Sequence, residues 1–175
     1  VSDKIGVIEN LLPKAHSIII GGAMAYTFLK ALGREVGSSK VEADKLAEAK
    51  KIIDEAAKRK CDLLLPTDHV CSTQFSETAG DIHVFDDAIK PGYMGLDIGP
   101  KTQTRYALAL HKAKTIVWNG PMGVFEFAPF ATGTQQVAKA IAEATKNGAT
   151  SIVGGGDSAA AAEKFHVADK MSHVS

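Results

Sequence analysis

The residues best suited to chemistry are three glycines, an acid and a hydroxyl in the run GGGDS, residues 154–158. Ile152 and Val153 indicate a buried strand before the run, and the alanines after it indicate a helix that opens at Asp157 or Ser158. Either of those two side chains could cap the helix by accepting a hydrogen bond from an N–H group of its first turn. The same N–H groups could instead bind a phosphate, because they carry a partial positive charge. The run alone leaves both interpretations open.

Asp157 also suits a divalent cation, since a carboxylate beside a phosphate is a typical ligand of Mg²⁺. His69 and Cys71 are also potential metal ligands, but no second cluster of ligands accompanies them in the sequence. We therefore expect these two residues to be buried and structural. The six histidines are scattered along the chain without the spacing of a metal motif.

Composition narrows the class of protein. The chain has 175 residues, of which 45% are hydrophobic and 23% charged, which is typical of a globular domain. Lys and Arg together number 20, as do Asp and Glu, and this balance argues against a broad surface for nucleic acid or for an anionic membrane. No stretch has the length and apolarity of a membrane span or the pattern of a signal peptide. Two cysteines make no disulfide framework, so a reducing, cytoplasmic compartment is expected.

Strands and helices are predicted to alternate along the chain. The predicted strands are short apolar runs at residues 17–20, 62–65, 94–98, 115–118 and 151–153, with further extended pieces at 69–71 and 82–85. The predicted helices cover residues 3–12, 23–32, 43–60, 102–112, 132–146 and 157–165, the first capped by Ser2. This pattern indicates an α/β fold, a three-layer αβα domain with a Rossmann-like, doubly wound parallel sheet.

Three of the strands end in glycine loops, which begin GGAMAYTF at residue 21, NGPMGVFE at residue 119 and GGGDS at residue 154. In a doubly wound sheet ligands bind beyond the carboxyl ends of the strands, so the three loops are expected at one edge. This arrangement favours a nucleotide site. Neither the GxGxxG dinucleotide motif nor the GxxxxGK[ST] phosphate loop occurs, so the phosphates must be held in another way.

The run WNGPMGVFE, residues 118–126, resembles the phosphoglycerate kinase family, and the resemblance spans essentially the whole chain. Other strings that agree in order with that family are VSDKIGVI at residues 1–8, GGAMAYTFLK at 21–30, MGLDIGP at 94–100, GGGDS at 154–158 and MSHVS at 171–175. The resemblance implies that residues 1–175 are the C-terminal, nucleotide-binding domain. It also implies that the chain is truncated at both ends and that the N-terminal substrate domain is absent.

The resemblance implies a reaction as well. Enzymes of the family act in glycolysis and transfer a phosphoryl group reversibly between 1,3-bisphosphoglycerate and ADP, giving 3-phosphoglycerate and ATP, with Mg²⁺ as cofactor. The acceptor is a carboxyl group, and the phosphoglycerate would be held by the absent domain. A cytoplasmic monomer without nucleic-acid or membrane partners is expected. The isolated chain is expected to bind nucleotide weakly and to be inactive.

Roles for individual residues follow from the same resemblance. Gly22, Ala23, Gly95, Pro121 and Val124 would surround the adenine, and Glu126 would accept hydrogen bonds from the ribose. Lys4, Asn119, Gly155, Gly156 and Ser158 would contact the phosphates, and Asp157 would hold Mg²⁺. The residues expected to act in catalysis are Lys4, Gly155 and Gly156.

Two positions depart from the family pattern, and two other functions stay open. Glycine is common in the family where Ala23 stands, and an apolar residue usually covers the adenine where Lys40 stands.

A Rossmann-like oxidoreductase is the first alternative function, although the missing GxGxxG motif argues against it. A non-catalytic α/β fragment with purely structural turns is the second.

Overall fold

The computed structural model describes residues 2–175, with side chains from Lys4 onward. The cap predicted at Ser2, and with it the side chain of Asp3, therefore lies outside the described side chains. The helices are α1 (Ser2–Leu11), α2 (Ala23–Ala31), α3 (Leu46–Lys58), α4 (Pro100–Lys112), α5 (Thr132–Lys146) and α6 (Gly156–Lys164). The strands are β1 (Ser17–Ile19), β2 (Asp62–Leu64), β3 (Asp68–Ser72), β4 (Ile82–Asp86), β5 (Met94–Ile98), β6 (Thr115–Trp118), β7 (Thr150–Val153) and β8 (His173–Val174).

Parallel strands form the middle layer of the fold. β1 pairs with β2, and β6, β7 and β8 pair in that order, all in parallel. Ile18 of β1 packs into a cluster with α1, α2 and α3, while its neighbour Ile19 packs on the opposite side against the cluster that contains α4, α5 and α6. Helices therefore lie on both sides of β1, and the predicted α/β, Rossmann-like class is confirmed.

One face of the second parallel sheet is open. Trp118 and Val153 are buried in the core, but the register partners Val117 and Ile152 on the opposite face are 49% and 38% exposed. Parallel sheets are normally covered on both faces, so this alternation differs from that of a fully buried strand.

The prediction of a single parallel sheet is wrong for the middle of the chain. β3 pairs with β4 and with β5, both antiparallel, in a separate three-stranded sheet. The polar, turn-rich stretch between β3 and β4 is the connection of a hairpin. The strand predicted at residues 94–98 is β5, which joins this sheet rather than the parallel layer. A short connection between neighbouring strands allows antiparallel pairing without a crossover helix.

Several helix boundaries also differ from their predictions; α4, for example, begins at Pro100 rather than at residue 102. The helix predicted over residues 43–60 begins with a 3₁₀ turn, Ala43–Lys45, and α3 ends at Lys58 because Lys60 has a left-handed φ of 57°. The last helix begins at Gly156 rather than at Asp157 or Ser158, after Gly155 with a φ of 92°.

Buried carboxylates from the antiparallel sheet hold two other helices by their first turns. Asp68 of β3 accepts hydrogen bonds from the backbone N–H groups of Lys101 and Thr102 in α4, at 2.9 and 2.8 Å. Asp97 of β5 accepts a hydrogen bond of 2.8 Å from the N–H group of Gly133 in α5. A negative charge at a helix N-terminus stabilises the helix, so these acids fix α4 and α5 against the sheet. No helix in the described residues is long and apolar enough to cross a membrane.

Candidate functional site

The three glycine loops meet at one edge of the molecule, as expected. The backbone N–H group of Gly22, after β1, donates a 3.0 Å hydrogen bond to the carbonyl of Met122, after β6. The N–H group of Gly120 donates to the hydroxyl of Ser158, in the loop and helix after β7. The N–H group of Gly154 donates 2.9 Å to the carbonyl of Trp118. The central loop, residues 119–126, therefore connects the other two.

Lys4 brings a positive charge to this edge. A methyl group added at Gly120 would collide with the Nζ atom of Lys4, so the ammonium group lies directly over that glycine. The side chain is half-buried, and burial lowers the pKa of Lys4, while the nearby carboxylate of Asp157 opposes that shift. Lys4 is therefore not a fully solvated surface lysine, and the negative charge of Asp157 favours its protonated form.

The N-terminus of α6 faces solvent beside Asn119. Gly155, Gly156 and Asp157 are all exposed, and Gly155, at the N-cap position, has no side chain to cap the helix. Methyl groups added at Gly154 and Gly155 would lie 3.9 and 3.8 Å from the amide of Asn119. The first N–H groups of a helix have no partner within the helix, so this turn presents donors next to an amide.

The Ser158 side chain binds the backbone of Gly120, a contact that was not predicted from the sequence. This side chain is 1% exposed and its Oγ atom accepts the hydrogen bond from Gly120 at 2.5 Å. The interpretation of GGGDS as a turn capped by Asp157 or Ser158 is therefore wrong, because neither side chain caps α6.

The other wall of the edge is built around Pro121 and Val124. Gly22 lies against the loop, because a methyl group added to it would be 3.0 Å from the carbonyl of Pro121. The N–H group of Val124 donates 2.9 Å to the carbonyl of Leu96 in β5, next to Gly95. Pro121 and Val124 are half-buried, so both keep part of their apolar surface open.

Gly95 itself makes room for a buried hydrogen-bonded pair. A side chain at this position would collide with the hydroxyl of Tyr26, which lies 3.2 Å from the Nδ1 atom of His69. His69 and Cys71 are 1% and 0% exposed, which confirms that they are buried. Burial lowers the pKa of His69 to about 4 and raises that of Cys71 to about 12, so both are neutral at physiological pH.

Three of the singled-out residues lie on the surface, away from the contacts that join the others. Ala23 opens α2 and is exposed, Glu126 is exposed two residues after Val124, and Lys40 is exposed in the loop before α3. The remaining predicted residues are brought together by the contacts described above. These residues are Lys4, Gly22, Gly95, Asn119, Pro121, Val124, Gly155, Gly156, Asp157 and Ser158.

Sequence reasoning missed three residues around this edge. Gly120 is the contact point of Lys4 and Ser158, and its only signal was its place after Asn119. Asp97 is the one acid inside the apolar strand at residues 94–98, and a charged residue in such a strand could have been recognised from the sequence as a buried polar position. Phe75 is 61% exposed, and its ring centroid lies 5.3 Å from that of Phe127, next to Glu126.

The donor set fits a metal that arrives with a ligand rather than a resident metal. Among residues 4–175 no group of three or more His, Cys, Asp or Glu side chains is placed to hold an ion. Asp157 is a single exposed carboxylate near a helix N-terminus. Mg²⁺ commonly takes one or two carboxylates together with phosphate oxygens and waters, so Asp157 could serve as such a ligand.

Comparison with known proteins agrees with this geometry. The model of the family described as "Phosphoglycerate kinase" matches residues 1–175, the whole chain. The chain belongs to the phosphoglycerate kinase family. The phosphoglycerate kinase of Thermosipho africanus is 56% identical over 177 residues, and that of Anaeromyxobacter dehalogenans (strain 2CP-C) is 57% identical over 175 residues.

Solved structures of phosphoglycerate kinases show the same fold. The enzyme of Coxiella burnetii matches with a TM-score of 0.95 at 44% identity, and that of Pyrococcus horikoshii OT3 with 0.83 at 33% identity. Each match covers 100% of this chain but 44% of the solved chain, and the two curated relatives are covered over 44% and 43% of their length. The chain thus spans less than half of the phosphoglycerate kinases it matches.

Proposed function

We propose that this chain is the nucleotide-binding half of a phosphoglycerate kinase and that its residues 1–175 belong to the C-terminal domain of that enzyme. The full-length protein would transfer a phosphoryl group between 1,3-bisphosphoglycerate and ADP, giving 3-phosphoglycerate and ATP. The observation that carries the proposal is the meeting of Lys4, Gly120 and the N-terminus of α6 at one edge. The domain that binds the phosphoglycerate would lie outside this chain, in keeping with its coverage of 44% of the Thermosipho relative.

The phosphates of the nucleotide would lie between Lys4 and the first turn of α6. The N–H groups of Gly155, Gly156 and Ser158 would donate to phosphate oxygens, and the amide of Asn119 would reach them from the side. Since the Ser158 side chain is buried and its Oγ atom lies against Gly120, the backbone N–H group of Ser158 is the donor we assign. Asp157 would be the protein ligand of a Mg²⁺ ion carried in by the nucleotide, and that ion would neutralise phosphate charge.

The base would lie along the apolar wall of the same edge. Gly22, Ala23 and Gly95 would contact its faces, while Pro121 and Val124 would supply apolar contact. Glu126, exposed two residues further on, would accept hydrogen bonds from the ribose hydroxyls.

Catalysis by this half would rest on charge and position. A loose phosphoryl-transfer transition state carries its charge on phosphate oxygens, so fixed N–H donors and an ammonium group stabilise it. The acceptor oxygen is already anionic, so no general base is required. The residues we assign to catalysis are Lys4, Gly155 and Gly156. Cytoplasmic location, a monomeric state and the lack of nucleic-acid or membrane partners belong to the same proposal.

A calorimetric titration tests nucleotide binding. The chain is titrated with ADP in the presence and absence of Mg²⁺ and, in parallel, with NAD. Binding of ADP supports the proposal, binding of NAD alone would favour an oxidoreductase, and no heat with either ligand would favour a structural fragment.

Two enzyme assays complete the test. Asp157→Ala in the full-length protein should weaken Mg²⁺-dependent turnover strongly, whereas unchanged turnover would remove Asp157 as the metal ligand. The 175-residue chain alone should show no turnover in a coupled assay, because phosphoryl transfer needs both substrates held together. Sustained turnover of the purified chain would contradict that expectation.

A further inference from the structure

Asp97 is a charged residue in the middle of the apolar strand β5, and its side chain is 1% exposed. Its Oδ2 atom accepts the hydrogen bond from Gly133 at the start of α5, and its Oδ1 atom accepts one of 2.9 Å from the N–H group of Ile98. Both carboxylate oxygens are therefore engaged with backbone, and the group joins β5 to α5.

The loop that carries the proposed base-binding residues passes directly over this carboxylate. A methyl group on Gly123 would lie 2.6 Å from the Oδ1 atom of Asp97 and 2.5 Å from the carbonyl of Leu96. On either side of Gly123 the backbone is anchored: the N–H group of Met122 donates 3.1 Å to Thr134 Oγ1 in α5, and Val124 is bonded to Leu96. The 122–124 segment thus rests on β5 and on the first turn of α5.

We propose that Asp97 is a positioning residue for the nucleotide pocket. By holding the first turn of α5 on β5, its carboxylate fixes the 122–124 segment and with it Pro121 and Val124. The inference rests on the proposed function, since those two residues are the ones assigned to the base. Asp97 does not touch the nucleotide in this arrangement and acts through the loop.

Protonation of Asp97 would loosen the same contacts. Burial raises the pKa of Asp97 to about 7, while the hydrogen bonds from Gly133 and Ile98 oppose the shift. An ionised carboxylate accepts at both oxygens, whereas a protonated one turns an oxygen into a donor that faces an N–H group. Nucleotide affinity should therefore rise as the pH rises through the pKa of Asp97.

The groups that face Asp97 from neighbouring elements are neutral near pH 7 or bonded to another helix. On α2, burial raises the pKa of Tyr26 well above its ordinary value, and the nearby charge of Asp97 adds to this shift. On β3, Val70 is the register partner of Asp97, and its neighbours His69 and Cys71 are both neutral near pH 7. Further along β3, Asp68 is engaged with α4. On α5, Gly133 and Thr134 carry no charge.

The test is Asp97→Asn in the full-length protein, with Asp68→Asn as the matched control. Asp68 is equally buried, but its carboxylate holds the first turn of α4 rather than that of α5. In D97N the Kd for ADP near pH 8 should rise about fivefold to tenfold, as expected for the loss of one charge-assisted hydrogen bond. The rise should shrink toward pH 6, where Asp97 of the unaltered protein is protonated.

Steady-state kinetics separate positioning from chemistry. D97N should raise KM for ADP with little change in kcat, because a misplaced base wall weakens ground-state and transition-state binding alike. D68N should keep the pH profile of ADP affinity and the KM of the unaltered protein. ADP affinity in D97N that matches the unaltered protein at every pH would overturn the inference.

A second measurement needs no variant and no nucleotide. Amide hydrogen exchange at Val124 in the unaltered protein, corrected for the intrinsic effect of pH, should show less protection at pH 6 than at pH 8. Protection that is independent of pH would overturn the inference even if D97N fails to fold. If the unaltered protein binds no ADP, the proposed function fails, and the exchange result still decides the role of Asp97.

Discussion

The ammonium group of Lys4 occupies the space that a side chain at position 120 would need. The two residues are far apart in the chain, one in the first turn of α1 and the other in the loop after β6. Gly120 also has a φ of 106°, a conformation that residues with a Cβ atom rarely adopt. Two independent features therefore require glycine at this position.

Gly120→Ala should lower both stability and nucleotide affinity. The positive φ makes alanine strained, at a cost of about 1 kcal/mol or more, and the new methyl group would displace Lys4. The matched control is Gly148→Ala, because Gly148 has a φ of 108° but a methyl group added there would meet no atom of the described residues within 4 Å. Denaturant unfolding should show a loss in both variants, whereas calorimetry should show weaker ADP binding in G120A alone. Equal ADP affinity in G120A and G148A would contradict the placement of Lys4.

Ser158→Ala should destabilise the protein through the Gly120 N–H group. That N–H group is buried with Ser158 Oγ as its acceptor, and an unsatisfied buried donor costs about 1–3 kcal/mol. Ser76→Ala is a useful comparison, since the Ser76 hydroxyl accepts a 3.0 Å bond from the N–H group of Ala79 at an exposed position, where water can replace it. Urea unfolding should show a larger loss for S158A than for S76A, and the reverse order would count against the assigned role of Ser158.

Gly6→Ala should stabilise the protein. Gly6 is exposed inside α1, its φ is not positive, and an added methyl group would meet nothing within 4 Å in the described part of the chain. Alanine is preferred over glycine in a helix interior by roughly 0.5–1 kcal/mol, so the midpoint of urea unfolding should rise. An unchanged or lower midpoint would contradict this prediction and would mean that α1 contributes little to the cooperative unit.

His69 should make stability depend on pH below neutrality. Its pKa is lowered to about 4 in the folded protein, mainly by burial, so the unfolded chain binds the proton more readily. The contribution of neutral His69 is complete above about pH 6.5 and is lost as the pH falls toward 4, on the order of 3 kcal/mol in total. His69→Gln should therefore flatten this slope in urea unfolding measured between those pH values.

Asp97 contributes a slope of opposite sign over the same range, so the comparison must be made between variants. Its raised pKa of about 7 means that its contribution is complete below about pH 4 and is lost as the pH rises toward 7. H69Q keeps this second slope, which D97N removes. His111→Gln, at an exposed position near the end of α4, controls for the loss of a histidine as such. Identical slopes in H69Q and the unaltered protein would contradict the buried, neutral state of His69.

Local sequence patterns were enough for most of the fold. Residues 94–98, 115–118 and 132–146 were predicted with the bounds that the structure gives, because Gly-Pro, Asn-Gly and an amphipathic period mark them clearly. The antiparallel pairing of β3, β4 and β5 could not be predicted, because pairing direction depends on contacts between distant strands rather than on the composition of each strand.

The candidate site was predictable as a set of loops but not as a set of contacts. Glycine after a strand and the family resemblance point to Gly22, Asn119 and Gly155. They do not reveal that Ser158 is used to hold Gly120 or that Lys4 leans over the same glycine. Such contacts join residues that are far apart in sequence, and a single chain without its fold carries no signal for them.

The meeting of Lys4, Gly120 and Asp157 also constrains the order in which the site can assemble during synthesis. Of the three residues, Lys4 leaves the ribosome first, Gly120 follows much later, and Asp157 in the first turn of α6 comes last. A nascent chain that has folded only as far as α5 can bring Lys4 to its glycine but has no helix N-terminus to face it. A nucleotide bound as proposed would therefore stabilise only a chain in which β7 and α6 have already docked, and it would not assist the earlier steps of folding.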